Sequence, residues 1–157
     1  LIGTGSSGIQ ATPPIAAQAA QLTVFQRTPN FSLPARHRGF LSEDQAKIKA
    51  DYDAIFALTR ESFAGFPFHP VDRKTMSVPD DERQEILDGL WEEGGFKFLW
   101  GSFSDLATNL DTNALVSEFI RRKIRETVAD PATADRLRTR CHSRLNLIDA
   151  EWQRQGS

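Results

Sequence analysis

Three glycines near the start of the chain have the spacing of a phosphate-binding turn. They are Gly3, Gly5 and Gly8, and they follow the two apolar residues Leu1 and Ile2. Between a strand and a helix, the first glycine of such a motif permits a tight turn. The second lets the backbone approach a pyrophosphate, and the third allows the helix to pack closely on the strand. The N–H groups at the start of the helix favour the same anion, so the motif predicts a dinucleotide-binding turn.

Three hydroxyl side chains lie among these glycines. Thr4, Ser6 and Ser7 offer hydrogen bonds to a phosphate in addition to those of the backbone. The alternative is a glycine turn that holds no ligand, but such a turn does not require a strand on each side of it. We therefore include the three hydroxyl residues in the predicted site.

The residue that follows the second predicted strand selects the cofactor. Residues 22–26 are rich in β-favouring types and predict a short strand, and Arg27 stands nineteen residues after Gly8. NAD and FAD sites usually hold an acidic residue there, which accepts a hydrogen bond from the ribose 2′-hydroxyl. An arginine pairs instead with a 2′-phosphate, to which Thr28 also donates. This predicts NADP; the alternative is an arginine that is simply the first solvated residue after the strand.

The elements that position these residues fall into two regions of different composition. Residues 1–26 contain no Asp, Glu, Lys or Arg, which suits a strand–turn–helix–strand unit inside an α/β sheet. Its helix is predicted from Ser6 to about Ala20, with a kink at Pro13 and Pro14. Because only two apolar residues precede the glycines and such strands usually have about five, we expect the chain to begin inside a strand.

The region after Arg27 is charge-rich and helical in pattern. A capping box at residues 42–45 opens a helix whose apolar stripe extends to residue 63, and residues 65–79 form a proline-containing loop. An acidic first turn and the pair Gly94-Gly95 delimit the next helix. The helices predicted after this loop cover residues 80–93, 96–106 and 112–128, with a last one opening at Asp130-Pro131. The aromatic residues 96–103 are expected to fill a core, and the basic run 121–125 to form a solvated face.

The composition and net charge of the chain exclude several classes of function. The 157 residues are 39% apolar, and 19 basic side chains face 21 acidic ones, for a net charge of −2. This balance argues against a binder of nucleic acid or of an anionic membrane. No apolar run approaches the length of about 20 residues that a membrane span needs. The single cysteine excludes an internal disulfide framework, and the lack of a signal-peptide pattern leads us to expect a cytoplasmic protein.

Two runs of sequence resemble the NADPH-binding segment of Baeyer–Villiger monooxygenases, a family of flavin enzymes. The first covers residues 1–10 and ends at Gln10, and the second covers residues 22–36. The five residues from Gln26 to Asn30, Gln-Arg-Thr-Pro-Asn, are far more specific than the glycines. The resemblance continues through the helical region at 91–96, 103–106 and 118–131, and ends near residue 137.

The resemblance implies a fold of the α/β class, a partial Rossmann-type NADP-binding domain with a mainly helical insertion. It divides the chain into an NADP-binding unit at 1–36, an insertion at 37–137 and a divergent tail at 138–157. We interpret the tail as the product of a frameshift or of a mis-assembled end. The resemblance also implies that residues 3–8 together with Gln10 would hold the NADPH pyrophosphate, and that Arg27 and Thr28 would hold the 2′-phosphate.

The family also implies a second cofactor and a reaction. FAD is bound outside this chain and is reduced by NADPH, after which one oxygen atom is inserted beside a ketone carbonyl to give an ester or a lactone. No catalytic residue and no metal ligand is assigned within the chain. We expect the chain alone to be inactive and to fold weakly, because its apolar first segment lacks partners.

Three other functions stay open at this point. An N-hydroxylating or other NADPH-dependent flavin monooxygenase would use the same segment. An NADP-dependent dehydrogenase without flavin would share the glycine turn and Arg27. A non-enzymatic helical interaction module would retain the glycine turn without binding a cofactor.

Overall fold

The computed structural model describes residues 1–27, 31–37, 39, 41–62 and 65–137, and the backbone of residues 145–148. Within this part the helices are α1 Ser6–Ala16, α2 Ser42–Ala50, α3 Tyr52–Glu61, α4 Asp80–Glu93, α5 Lys97–Gly101, α6 Leu110–Thr127 and α7 Pro131–Leu137. A single 3₁₀ turn covers Thr75–Ser77, and the strands are β1 Phe31–Pro34 and β2 Leu145–Ile148. Thr28, residue 63 and most of the predicted tail lie outside the described residues.

The first segment of the chain pairs in parallel with the segment that follows α1. Ile2 and Phe25 form an isolated parallel bridge. The Gly3 N–H donates to the Phe25 carbonyl at 2.8 Å, and the Phe25 N–H donates to the Leu1 carbonyl at 2.9 Å. The strand predicted at 22–26 is therefore present only as a short stretch of pairing, and α1 forms the connection between the two paired segments.

Helix α1 is shorter than predicted. It ends at Ala16 rather than near Ala20, with Pro13 and Pro14 inside its last turns. The Pro13 carbonyl still accepts a hydrogen bond from the Ala17 N–H at 3.0 Å. Two adjacent prolines inside the helix remove two of its N–H donors and so weaken its second half.

The hydrophobic core lies entirely after this unit, because no described residue in 1–27 is buried. Three aromatic side chains form its centre: Trp91 from α4, Phe98 from α5 and Phe119 from α6, with ring centroids 6.0–6.5 Å apart. Phe103 is also buried, so the expectation that the aromatic segment fills a core is confirmed for these residues. Phe96 differs from them, because half of it is exposed.

A short parallel sheet covers one side of the core. Phe31 and Leu33 of β1 are buried, each at 2% exposure. Strand β1 pairs in parallel with β2, and the register places Phe31 opposite Leu145. Neither strand was predicted: the sequence suggested a loop after residue 27 and a divergent tail after residue 137. The predicted division of the chain at residues 36 and 137 stays a prediction. Strand β1, which lies before the first of these limits, packs with the helices that follow it.

Two of the predicted helices differ from the structure in the region 42–106. The helix predicted over 42–63 is broken at Asp51 into α2 and α3. Its N-cap is Leu41 rather than Ser42, and the Asp44 carboxylate accepts from the Leu41 N–H at 3.3 Å. The helix predicted over 96–106 is limited to α5, and turns follow it.

The other predicted helices are confirmed. Helix α4 has the predicted bounds and is followed by Gly94 and Gly95, whose φ angles of +72° and +71° end it. Helix α6 begins two residues earlier than predicted, because the Asn109 side chain caps its first N–H groups. At α7, the Asp130 carboxylate accepts from the Thr133 N–H at 2.9 Å, as an N-cap does.

A carboxylate connects three parts of the helical region. Asp105 accepts from the backbone and the hydroxyl of Thr75 at 3.1 and 2.8 Å, and from the Thr112 hydroxyl at 3.1 Å. Burial acts to raise the pKa of Asp105, but these hydrogen bonds outweigh it and hold that pKa below its ordinary value. Because both threonines are fully buried, this carboxylate holds the loop at Thr75 against α6.

A pair of glycine substitutions tests how α4 joins β1. We expect Gly94→Ala to lower the free energy of unfolding by about 2–4 kcal/mol, from a left-handed backbone and overpacking. An added Cβ would lie 2.7 Å from the Pro34 carbonyl oxygen and would overlap the Arg36 side chain. Gly89→Ala is the control. Gly89 lies inside α4 and a Cβ there would meet open space, so we expect this substitution to raise the free energy of unfolding by about 1 kcal/mol. Urea titration followed by circular dichroism measures both, and equal effects would contradict the packing at Gly94.

Candidate functional site

The glycine turn has the geometry that its spacing predicts at its first and third glycines. Gly3 has a φ of +93°, which L-residues with a side chain rarely adopt. A Cβ on Gly8 would lie 2.5 Å from the Gly3 carbonyl oxygen. Glycine at both positions is therefore required by the fold itself, for the turn and for the close approach of α1 to the first segment.

Gly5 has no such internal reason to be glycine. Its φ of −73° is accessible to every residue, and a Cβ built on it would meet no protein atom within 4 Å. It is the N-cap of α1 and provides no side-chain oxygen to the first N–H groups of the helix. Those N–H groups have no partner inside the helix. The open space at Gly5 is thus bordered by backbone donors at a helix N-terminus, which is the arrangement that an anion requires.

The polar residues predicted around the turn lie on the exposed side of α1. Ser6 and Ser7 form its first turn, and Gln10 follows one turn later. All three are exposed. The Thr12 hydroxyl, which was not predicted, donates back to the Gly8 carbonyl at 2.7 Å and so belongs to the helix rather than to the site.

The ends of the two paired segments meet at the turn. Thr4, between the first two glycines, accepts a hydrogen bond from the Gln26 side-chain amide at 2.8 Å. Arg27 comes next and is exposed. The parallel pairing therefore brings the glycine turn and Arg27 to the same edge, at the carboxyl ends of both segments, where α/β sheets bind their ligands. Thr28 lies outside the described residues.

The sequence did not predict that Gln26 contacts the glycine turn. This contact depends on how the two paired segments are aligned, because the bridge between Ile2 and Phe25 places Thr4 near residue 26. Without that register, a glutamine at the end of a strand gives no indication of its partner.

The basic run on α6 does not compete as an anion site. Arg121 and Arg125 both pair with Glu118, at 3.2 and 3.4 Å, and Lys123 pairs with Asp88 at 2.7 Å. Burial acts to raise the pKa of Glu118, but the hydrogen bonds from the two arginines outweigh it and lower that pKa. These cations are thus compensated by acidic side chains. Arg125 is exposed, as a solvated face requires, whereas the side chains of Arg121 and Lys123 are only 20% and 17% exposed.

The described part of the chain contains no group of three His, Cys, Asp or Glu side chains that could hold a metal ion. None of its helices combines the length and the apolar character needed to span a bilayer.

The chain was compared with known proteins. No protein-family model matches it. It is 39% identical over 137 residues to a cyclopentanone 1,2-monooxygenase of Comamonas sp., which covers 87% of this chain and 25% of that protein. It is 40% identical over 138 residues to a phenazine N-monooxygenase of Lysobacter antibioticus, covering 87% of this chain and 26% of that one. The chain thus spans about a quarter of the length of the curated relatives it matches.

Solved structures agree with these relatives. A cyclohexanone monooxygenase from Rhodococcus sp. bound to NADP⁺ superimposes with a TM-score of 0.86 at 39% identity, covering 97% of this chain and 29% of that one. The OTEMO complex with FAD and NADP gives a TM-score of 0.88 at 29% identity, covering 99% of this chain and 30% of that one.

These likenesses make the chain a relative of flavin-dependent monooxygenases. Within that class it is related to the Baeyer–Villiger monooxygenases and corresponds to about a quarter of such a protein, which confirms the resemblance seen in the sequence.

Proposed function

We propose that this chain supplies the NADPH-binding part of an FAD-dependent Baeyer–Villiger-type monooxygenase, which converts a ketone into an ester or a lactone. In this proposal the chain contributes a partial Rossmann-type NADP-binding unit with a mainly helical insertion. The solved relatives named above are complexes with NADP⁺ or with FAD and NADP, which supports both cofactors.

The observation that carries the proposal is the open space at Gly5. Neither its backbone angles nor the described residues around it require glycine, so we infer a requirement from a bound group. A pyrophosphate seated against the backbone at Gly5 is such a requirement. The N–H groups at the start of α1 and the hydroxyls of Ser6 and Ser7 would then hold the pyrophosphate, with Gln10 beside it.

The second anionic group of the cofactor is assigned to Arg27 and Thr28. The guanidinium offers paired donors in one plane, which match the oxygens of a 2′-phosphate. No acidic residue occurs in residues 1–26, so none is present there to accept from a free ribose 2′-hydroxyl. When bound, NADPH supplies a hydride to the flavin, while the residues of this chain bind and orient it.

Gly5→Ala and Gly8→Ala together test the pyrophosphate site. We expect Gly5→Ala to weaken NADP⁺ binding about tenfold, the loss of one or two good hydrogen bonds, with little change in thermal stability. Gly8→Ala is the matched comparison, since its Cβ would overlap the Gly3 carbonyl oxygen and lower both stability and affinity. Calorimetric titration with NADP⁺, combined with thermal melts, separates the two in an enzyme in which residues 1–137 of this chain replace the matching segment of the Comamonas cyclopentanone monooxygenase. Unchanged affinity in Gly5→Ala would remove the observation on which the proposal rests.

Segment exchange tests the proposal in a complete enzyme. Residues 1–137 of this chain replace the matching quarter of the Comamonas cyclopentanone monooxygenase, to which they are 39% identical. We propose that the exchanged enzyme consumes NADPH in the presence of cyclopentanone and forms the lactone. Failure to use NADPH in a folded, FAD-containing exchange enzyme would contradict the assignment.

N-oxidation is the second candidate function, because the phenazine N-monooxygenase is as similar to this chain as the ketone-oxidising relatives are. Both reactions require the same NADPH site, so the residues of this chain do not distinguish them. Product analysis with a cyclic ketone and with phenazine, using an enzyme that carries this segment in its natural context, separates the two.

A further inference from the structure

We propose that Gln26 is a positioning residue for the dinucleotide: its side-chain amide holds the glycine turn at a fixed place relative to Arg27. This inference rests on the proposed NADPH site. It adds a residue that neither touches the reacting atoms nor belongs to the glycine motif.

The geometry shows where Gln26 acts. The backbone pairing between the two segments includes the Gly3 N–H, which donates to the Phe25 carbonyl at 2.8 Å. One position further along, the connection is made by side chains, as the Gln26 amide donates to the Thr4 hydroxyl oxygen at 2.8 Å. Gln26 therefore extends the pairing from the ordered backbone into the glycine turn.

The turn needs such a restraint because of its composition. Thr4 stands between two glycines, and a Cβ on Gly3 or on Gly5 would meet nothing within 4 Å. Glycines populate many backbone conformations, so the two that flank Thr4 leave the turn free to take several places relative to Arg27. The hydrogen bond from Gln26 to Thr4 limits those places, because Gln26 precedes Arg27 in the chain.

Gln26 connects the two anion-binding parts of the proposed site, because it contacts the glycine turn and directly precedes Arg27. Arg27 is its neighbour, so the residue that holds the turn and the residue assigned to the 2′-phosphate are consecutive. NADP carries its pyrophosphate and its 2′-phosphate on one ribose, at a separation that the ribose fixes. Binding both groups at once requires the turn and Arg27 to keep that separation, whereas binding either group alone does not.

The test uses Gln26→Leu, which keeps the approximate size of the side chain and removes the donor. NADP⁺, ADP and adenosine 2′-monophosphate are titrated by calorimetry into the FAD-containing exchange enzyme that carries residues 1–137 of this chain. We expect NADP⁺ affinity to fall about three- to tenfold, the worth of one exposed hydrogen bond. The affinities for ADP and for adenosine 2′-monophosphate, each of which occupies one half of the site, should change less than twofold.

Gln18→Leu is the matched control. Gln18 is also exposed and also makes a side-chain hydrogen bond, to the Pro14 carbonyl at 3.1 Å, but at the far end of α1. It is expected to leave all three affinities unchanged. Thr4→Val removes the acceptor together with a hydroxyl assigned to the phosphate, so it should weaken NADP⁺ binding at least as much as Gln26→Leu does. The double variant should then bind no more weakly than Thr4→Val alone.

Each outcome bears on a separate claim. If the folded, FAD-containing parent exchange enzyme binds none of the three ligands, the NADPH site itself is wrong and the inference falls with it. If the parent binds NADP⁺ and Gln26→Leu binds it equally well, only the inference is wrong. Equal weakening of all three ligands by Gln26→Leu, or additive effects with Thr4→Val, would indicate a general structural role and would overturn the positioning role.

Discussion

Arg27→Ala is expected to weaken NADPH binding about tenfold to a hundredfold while leaving the affinity for NADH nearly unchanged. The two coenzymes differ only by the 2′-phosphate, so the substitution removes one charge-assisted interaction, worth about 1.5–3 kcal/mol. Arg27 is exposed, so its loss leaves no buried charge and should not alter the fold. The ratio of the two affinities is therefore a direct measure of contact with the 2′-phosphate.

Two further variants sharpen this prediction. Arg27→Lys keeps the charge but loses the planar fork of donors, so we expect an intermediate loss for NADPH. Arg60→Ala is the control, since Arg60 is an exposed arginine in the last turn of α3 and should leave both affinities unchanged. Calorimetry at fixed ionic strength provides the measurement, because screening by salt changes such contacts. Equal losses for NADPH and NADH would show that Arg27 does not contact the 2′-phosphate.

The glycine turn was predictable because each of its requirements is local. The positive φ of Gly3 and the close approach at Gly8 follow from a tight turn between a strand and a helix, which spacing alone encodes. The contact between Gln26 and Thr4 depends on the register of two segments separated by a helix. Neither segment alone determines how the two align, so the contact between Gln26 and Thr4 could be identified only from the structure.

Helices bounded by strong end signals were predictable for the same reason. The acidic first turn of α4 and the glycines after it determine both of its ends without help from the rest of the chain. Strands β1 and β2 depend on pairing between Phe31 and Leu145, which are more than a hundred residues apart. Both strands are only four residues long, and Pro34 ends the first. Neither therefore shows a pattern that identifies it in isolation.

The helical stripe predicted over 42–63 does not form part of the core, because the spacing of apolar residues does not show which other element they pack against. The rings of Tyr52 and Phe56 contact each other, with centroids 5.8 Å apart. Tyr52 is nevertheless 45% exposed and Phe56 54% exposed. The first segment behaves similarly, with Ile2 89% and Phe25 63% exposed. That the first segment lacks apolar partners and that the chain folds weakly both stay predictions.

Phe98→Ala is expected to cost about 3–5 kcal/mol of the free energy of unfolding, the usual range for removing a buried aromatic ring. Phe98 is 1% exposed and contacts both Trp91 and Phe119, so its loss leaves a cavity between α4 and α6. Because small domains have total stabilities of only about 5–15 kcal/mol, this loss is a large fraction of the whole and should lower the urea midpoint strongly.

Phe96→Ala is the matched control for this cavity. Phe96 is two residues away and is 50% exposed, with one ring contact, to Phe66 at 5.0 Å between centroids. Its truncation removes less buried area and leaves no enclosed cavity, so we expect a loss of about 1 kcal/mol or less. Urea titration followed by circular dichroism compares the two variants in the 157-residue chain. Similar midpoints for both would mean that the rings of Trp91, Phe98 and Phe119 do not form the centre of the core. A much lower midpoint for Phe98→Ala than for Phe96→Ala would show that the packing of α4, α5 and α6 stabilises the chain. The described residues of the proposed cofactor site lie outside these three helices.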